Sequence, residues 1–153
     1  MESDLNGSKA YLSNNADKGG TKSVTGTSTW TNYSVEAKGK METTSGRMGV
    51  IARFVDYNNY YSMSYDNFGK NVYITRLQNG VLTDLAISAP ITPLATGIYH
   101  NLRFTSAGNT LQAYVNDLLI ATASDSTFPT WKIGVNTHFN KAYFDDVVVR
   151  TAP

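Results

Sequence analysis

The sequence predicts an all-β chain folded as a two-sheet antiparallel β-sandwich of the jelly-roll type. Composition is the first sign: only 16% of the 153 residues are charged, and Ser, Thr, Asn, Gly and Tyr fill the balance, types that suit pleated surfaces and tight turns. The second is alternation of bulky with polar residues in one segment after another, a period of two that separates a buried face from a wet one. The third is rhythm, since about a dozen such segments recur at roughly 8–12-residue spacing with turn residues between them and no helical pattern. A chain of 153 residues is expected to form one domain, 1–153, large enough to bury a core without cross-links.

Taken in order, Lys9–Asn14 is a short strand before a polar loop, Asn15–Gly20, and Lys22–Ser28 is a weakly specified Thr/Ser-rich strand. In Tyr33–Thr43 the residues Tyr33, Val35, Ala37, Gly39 and Met41 alternate with Ser34, Glu36, Lys38, Lys40 and Glu42, the pattern of a long strand buried on one side. Two strands, Arg47–Val55 and Tyr60–Asp66, follow around the turn Asp56-Tyr57-Asn58-Asn59. Alternation places Met48, Val50, Ala52 and Phe54 on one side of the first, and Gly49, Ile51, Arg53 and Val55 on the other. In the second, Tyr61, Met63 and Tyr65 oppose Tyr60, Ser62, Ser64 and Asp66. Val72–Leu77 and Val81–Ser88 are joined by an Asn79-Gly80 hairpin signal. Pro90 and Pro93 make Ala89–Thr96 a crossing loop. Ile98–Thr105, Thr110–Val115, Leu118–Ala123, Trp131–Thr137 and Ala142–Arg150 complete the strands, with Ser124–Thr130 a second long loop.

Several function classes are disfavoured. The net charge is +1 and there is no Lys/Arg run, so the electrostatic footprint of a nucleic-acid binder is missing. Cysteine is absent, which excludes disulfides and thiolate sites. No apolar run approaches the roughly 20 residues of a membrane-spanning helix, so neither nucleic acid nor a membrane is an expected partner. Met1-Glu2-Ser3-Asp4 has neither a basic n-region nor an apolar h-region, so no signal peptide is expected in this chain, although the parent protein is compatible with export.

Catalytic patterns are thin. Glu36 and Glu42 share a strand face, but six residues put them about 20 Å apart, too far for the paired carboxylates of a glycoside hydrolase. Glu36, Lys38, Lys40 and Glu42 read as a solvated charged stripe. The two histidines, His100 and His138, have no Cys or H-x-x-x-H companion, which disfavours zinc. A lyase built on a Tyr or His base with an Arg is an open alternative, since Tyr60, Tyr61, Arg53 and His138 supply the types.

Several segments together resemble a known family. Trp30-Thr31-Asn32-Tyr33-Ser34-Val35-Glu36-Ala37 resembles the W-x-x-Y-x-x-x-A/V strand of concanavalin A-like, laminin-G-like jelly rolls. Gly49-Val50-Ile51-Ala52-Arg53-Phe54-Val55-Asp56-Tyr57-Asn58-Asn59-Tyr60-Tyr61 is similar to their strand-and-turn pattern with R, D, N and paired aromatics. Ile98–Arg103 and Gly108–Asn116 resemble two further strands, and Ala142–Val149, with Phe144-Asp145-Asp146, resembles the terminal strand. Members usually carry one more strand, containing a Trp, ahead of the position of Glu2–Asn6. Such domains are commonly appended to bacterial fructanases and to pectin or other uronan lyases as carbohydrate-binding modules. The resemblance therefore implies an extracellular, non-catalytic module, monomeric by itself and attached to a catalytic domain, with a polysaccharide or oligosaccharide as ligand. The alternatives are a small lyase or hydrolase on the same fold, and a laminin-G-like structural or protein-binding domain.

A sugar site needs an aromatic platform beside fixed hydrogen-bonding groups. Arg53 offers a rigid donor fork on the polar face, Asp56 and Asn59 offer groups to vicinal hydroxyls, and Tyr57 or Tyr60 a stacking ring. Arg76, Trp131 and His138 form a second tier with Tyr73, Phe128, Phe139 and Asn140. Each also has a structural reading: Asp56, Asn58 and Asn59 are ordinary turn formers, and Trp131 fits a core. By the resemblance, Asp145 is the expected ligand of a structural Ca²⁺, with Asp4 or Glu2 as companions.

Overall fold

A computed structural model of the chain describes residues 2–3, 9–15 and 20–152. Among these there is no helix. The strands are β1 (Glu2–Ser3), β2 (Lys9–Asn15), β3 (Thr21–Thr25), β4 (Tyr33–Met41), β5 (Arg47–Asp56), β6 (Asn59–Asp66) and β7 (Asn71–Gln78). They continue with β8 (Val81–Ile87), β9 (His100–Ala107), β10 (Thr110–Val115), β11 (Leu118–Ser124), β12 (Lys132–His138) and β13 (Asn140–Thr151). One sheet runs β1-β2-β13-β4-β9-β10-β11 and the other β3-β12-β5-β6-β7-β8. Every pairing is antiparallel. The chain is thus the expected two-sheet sandwich.

The facing sides of the sheets make the core, and the alternation along each strand explains which residues they contribute. Val35, Ala37 and Met41 of β4 meet Met48, Val50 and Ala52 of β5, with Tyr61, Met63 and Tyr65 of β6, all shielded from solvent. Leu102, Phe104 and Phe144 close the cluster from the larger sheet. Truncating a buried ring such as Phe104 costs about 3–5 kcal/mol through lost transfer energy and the cavity left behind. The Asn79-Gly80 turn is present as expected, both residues having positive φ (51° and 78°), the twist that matches paired strands. Asn116-Asp117 turns in the same way, at 47° and 66°.

Two expectations about side-chain direction are corrected. Lys40 is not part of a solvated stripe: it is 5% exposed, with its Nζ 4.6 Å and 5.0 Å from the ring centres of Tyr143 and Tyr99. There aromatic faces, together with Glu42 Oε1 at 3.9 Å, stand in for water around its charge.

The larger correction is at Arg53. The β5–β6 pairing is broken between Ala52 and Asp56, and Arg53 has φ 48°. Against β12, the step from Ile51 to Phe54 spans three residues where the partner, from Gly134 to Lys132, spans two, and one extra residue at a bulge reverses the alternation that follows it. Phe54, expected in the core, instead joins Ile51 and Tyr60 in a small cluster on the other face, and Val55 packs against the main core. Arg53 turns inwards, to 1% exposure. Its Nη1 donates to the Phe128 carbonyl (2.8 Å) and its Nη2 to the carbonyls of Gly108 (2.8 Å) and Thr31 (3.2 Å). The Arg53 amide donates to the Tyr33 hydroxyl (2.6 Å), which itself donates to the Trp131 carbonyl (3.0 Å). Arg53 is therefore the knot that ties three loops together at one end of the sandwich, and no donor fork projects from the polar face at this position.

Candidate functional site

The outer face of the six-stranded sheet carries a cleft of about 330 Å³ lined from all six strands. Because cross-strand neighbours are fixed by register, its surface can be read as four rows running across the sheet. The first is His138, Arg47 and Asp66. The second is Lys22, Asn136, Gly49, Ser64 and Tyr73. The third holds Val24, Gly134, Ile51, Ser62, Thr75 and Asp84. In the fourth, Tyr60, Leu77 and Leu82 stand side by side. Successive rows are two residues apart, so the face grades from ionic to apolar over about 20 Å.

The middle rows form a hydroxyl floor. Ser62 Oγ lies 2.8 Å from Thr75 Oγ1, and Ser62, Ser64 and Thr75 are all buried. Asn136 Oδ1 is buried without a hydrogen-bond partner, and such an atom is costly unless a ligand or water satisfies it. The floor depends on Gly49: a Cβ there would stand 2.1 Å from the Met63 carbonyl oxygen and 2.9 Å from Asn136 Oδ1.

The apolar end is built by the same bulge that buries Arg53. Phe54, thrown to the outer face, stacks on Tyr60 with ring centres 5.9 Å apart and planes at 27°, fixing the Tyr60 ring as a wall beside Leu77 and Leu82. Burial raises the Tyr60 hydroxyl pKa to about 12.

The ionic end holds three basic groups. The Arg47 guanidinium lies 4.1 Å from the centre of the Tyr73 ring, with Nη2 3.6 Å from Asp66 Oδ2. Lys22 Nζ sits 5.2 Å from the centre of the Tyr60 ring, and burial lowers its pKa. His138 is held below its ordinary value by burial and by the charges of Arg47 and Lys22, against the opposing pull of Asp66.

Of the sequence-predicted residues, Tyr60 and His138 line this cleft. Tyr57 is exposed at its rim, edge-on to Phe54 at 5.5 Å and 6.0 Å from Lys22 Nζ. Asp56 and Asn59 hold turns: Asp56 Oδ1 accepts from the Asn58 amide (2.7 Å) and from Asn59 Nδ2 (2.9 Å). Asn59 Oδ1 accepts from the Asn79 amide (3.0 Å), tying the β5–β6 turn to the β7–β8 turn. Arg76 pairs with Tyr61 in register, on the core side. Its Nη1 lies 2.6 Å from Asp125 Oδ2 and 3.1 Å from Thr127 Oγ1. Asp125 also accepts from the Tyr61 hydroxyl. Burial pushes Asp125 up, but the hydrogen bonds of Tyr61 and Thr127 and the charge of Arg76 leave it below the usual carboxylate range. Trp131, at φ 107°, belongs with Arg53, its amide donating to the Trp30 carbonyl (3.2 Å). Arg76 and Trp131 are thus away from the cleft, holding loops.

Asp145 occupies a bulge of β13, where its Oδ1 accepts from the Asp146 amide (2.8 Å) while Asp146 pairs with Lys38 at 2.6 Å. Asp4 lies outside the described residues. Among the described residues no three His, Cys, Asp or Glu side chains converge.

Lys22, Arg47, Ser62, Ser64, Thr75 and Asn136, with Gly20, Leu77 and Leu82, are the cleft residues that sequence reasoning did not single out. Ser62 and Ser64 were visible as a polar face, and Arg47 shares the parity of Gly49 and Ile51, but nothing in the sequence states which residues of six strands stand side by side.

No family model matches the sequence, and no curated protein matches it. Solved structures do share the fold. The carbohydrate-binding module CBM66 from Bacillus subtilis superposes with a TM-score of 0.81 over 94% of this chain and 92% of that one, at 18% identity. Sheep galectin-11 in complex with glycerol gives 0.60 over 88% and 98%, at 13% identity. A GH43 protein, BlXynB from Bacillus licheniformis, gives 0.57 over 78% of this chain and 27% of that one, at 14% identity. At these identities the likeness shows the jelly-roll fold.

Proposed function

We propose that this chain is a non-catalytic carbohydrate-binding module and that the six-strand cleft is where it holds a glycan. The observation that carries the reading is the graded cleft itself. A saccharide has apolar C–H faces and a girdle of hydroxyls, and the cleft offers an apolar wall at Tyr60, Leu77 and Leu82 beside a floor of hydroxyl and amide groups. The superposition on a carbohydrate-binding module over nearly the full length of both chains supports the same assignment. In this reading the module is part of a secreted polysaccharide-degrading enzyme and brings it to its substrate outside the cell. A structural calcium ion at Asp145 belongs to the proposal on the strength of the resemblance alone.

Binding without turnover is favoured by the ionisable groups present. The rows hold two carboxylates, Asp66 and Asp84, but two rows and two strand spacings put them about 16 Å apart, beyond the roughly 10 Å limit of a glycoside hydrolase pair. Tyr60, held near 12 by burial with no charged partner shifting it, is a poor proton carrier at neutral pH. A lyase is the second reading, favoured by His138, which its surroundings keep neutral beside Arg47.

The test is isothermal titration of a glycan panel of levan, inulin, polygalacturonate, alginate and β-glucan, with reducing ends and unsaturated products assayed in the same samples. Binding without products, weakened at least tenfold by Tyr60→Ala, is the expected result. Products would establish the lyase reading, and affinity untouched by Tyr60→Ala would move the site elsewhere.

A further inference from the structure

We infer that the cleft selects glycans bearing an oxyanion, a uronate carboxylate or a sulfate ester, and seats that group at the end formed by Lys22, Arg47 and His138. The inference rests on the carbohydrate reading above and adds the chemical class of the ligand.

The charge arrangement is the first argument. The whole chain is nearly neutral, at +1, so two cations, Lys22 and Arg47, around one hollow, with the neutral His138 ring beside them as a hydrogen-bonding group, are a local concentration. Asp66 is the carboxylate in the row of Arg47 and His138, and its contact with Arg47, at 3.6 Å, is longer than a charge-assisted hydrogen bond. The other carboxylate of the face, Asp84, stands two rows away beside Thr75. The Arg47 guanidinium lies over Tyr73, 4.1 Å from the ring centre, a contact that limits the freedom of a donor fork suited to carboxylates. Lys22 has no carboxylate partner among the described residues and leans on aromatic rings instead. A half-buried ammonium without a counter-ion loses hydration that an anionic ligand would compensate. Burial alone lowers the Lys22 pKa, and burial, then the charges of Arg47 and Lys22, lower that of His138 against the pull of Asp66.

The second argument is position. A free anion would need only the charged row. Here the basic groups adjoin the unpaired Asn136 Oδ1, which wants a hydroxyl donor, and the hydroxyl floor leads on to the apolar wall. Cationic groups, hydroxyls and an apolar wall within one cleft, with Lys22 Nζ reaching from the second row towards the Tyr60 ring, fit an acidic sugar.

The experiment compares matched pairs by isothermal titration at 50 mM NaCl: polygalacturonate against its fully methyl-esterified form, and a sulfated galactan against the same polymer desulfated. The acidic member of at least one pair is expected to bind tenfold or more tightly, and which pair responds identifies carboxylate or sulfate. That advantage should shrink at 500 mM NaCl and be lost in Arg47→Gln. If Arg47→Gln does not fold, Lys22→Gln serves, with a loss of several-fold expected. Equal affinities within both pairs, with binding still abolished by Tyr60→Ala, would overturn the inference and leave the carbohydrate reading standing. Absence of binding to acidic and neutral polymers alike would overturn both.

Discussion

Arg53 gives the sharpest separation between a structural and a ligand-binding role, because the two make opposite predictions for one substitution. The side chain is 1% exposed and donates three hydrogen bonds to the carbonyls of Thr31, Gly108 and Phe128. A hydrogen bond to a charged group contributes about 1.5 kcal/mol or more, and a stranded buried acceptor costs about 1–3 kcal/mol. Part of this is returned because a cation no longer has to be desolvated. Arg53→Met, which keeps most of the volume, should therefore lose roughly 3–5 kcal/mol, or about 8–15 °C in melting temperature for a chain of this size. Scanning calorimetry with urea denaturation at 25 °C measures both. Arg53→Lys should fall between, since one ammonium cannot reach three diverging carbonyls. The same variants, titrated with glycan below their melting temperatures, should bind within about twofold of the parent. A melting temperature within 2 °C of the parent together with lost glycan binding would refute the knot and return the guanidinium to the ligand.

Acidification provides a second check. His138 has a folded pKa depressed below 6.5, so between 6.5 and that lower value the unfolded chain binds more protons and stability rises with pH. Stability is thus lost as pH falls from 6.5, and His138→Asn should flatten that limb of the urea-midpoint profile; an unchanged limb assigns it to other groups. The calcium proposal at Asp145 predicts that EDTA lowers the melting temperature by several degrees without altering the far-UV spectrum. An unchanged midpoint removes the metal.

How far the sequence led is clear from β5. Its alternation correctly gives Met48, Val50 and Ala52 to the core and Gly49 and Ile51 to the other face. One residue later the pattern misleads, because a bulge with positive φ at a non-glycine position has no reliable signature in sequence. Everything beyond it is reversed, which is why Arg53 looked like a surface donor and Phe54 like core. The turn chemistry was legible at Asn79-Gly80, and the structural reading of Asp56 and Asn59 describes them as they are found. The cleft was only partly legible. Tyr60 and His138 were recognisable as individual aromatic or polar residues, but Lys22, Arg47 and Asn136 come from three strands far apart in sequence and acquire meaning only through register. Local patterning determines faces, whereas the order of strands in a sheet depends on long-range packing.

The most direct test of the central claim is amide chemical-shift mapping of the assigned protein during titration with the tightest glycan found in the panel. Shifts concentrated at Lys22, Gly49, Ser62, Ser64, Asn136 and His138, with the Arg53 end and the β13 bulge silent, are the predicted result. Shifts confined to the loops around Trp131 and Gly108, or to the outer face of the seven-stranded sheet, would contradict the account.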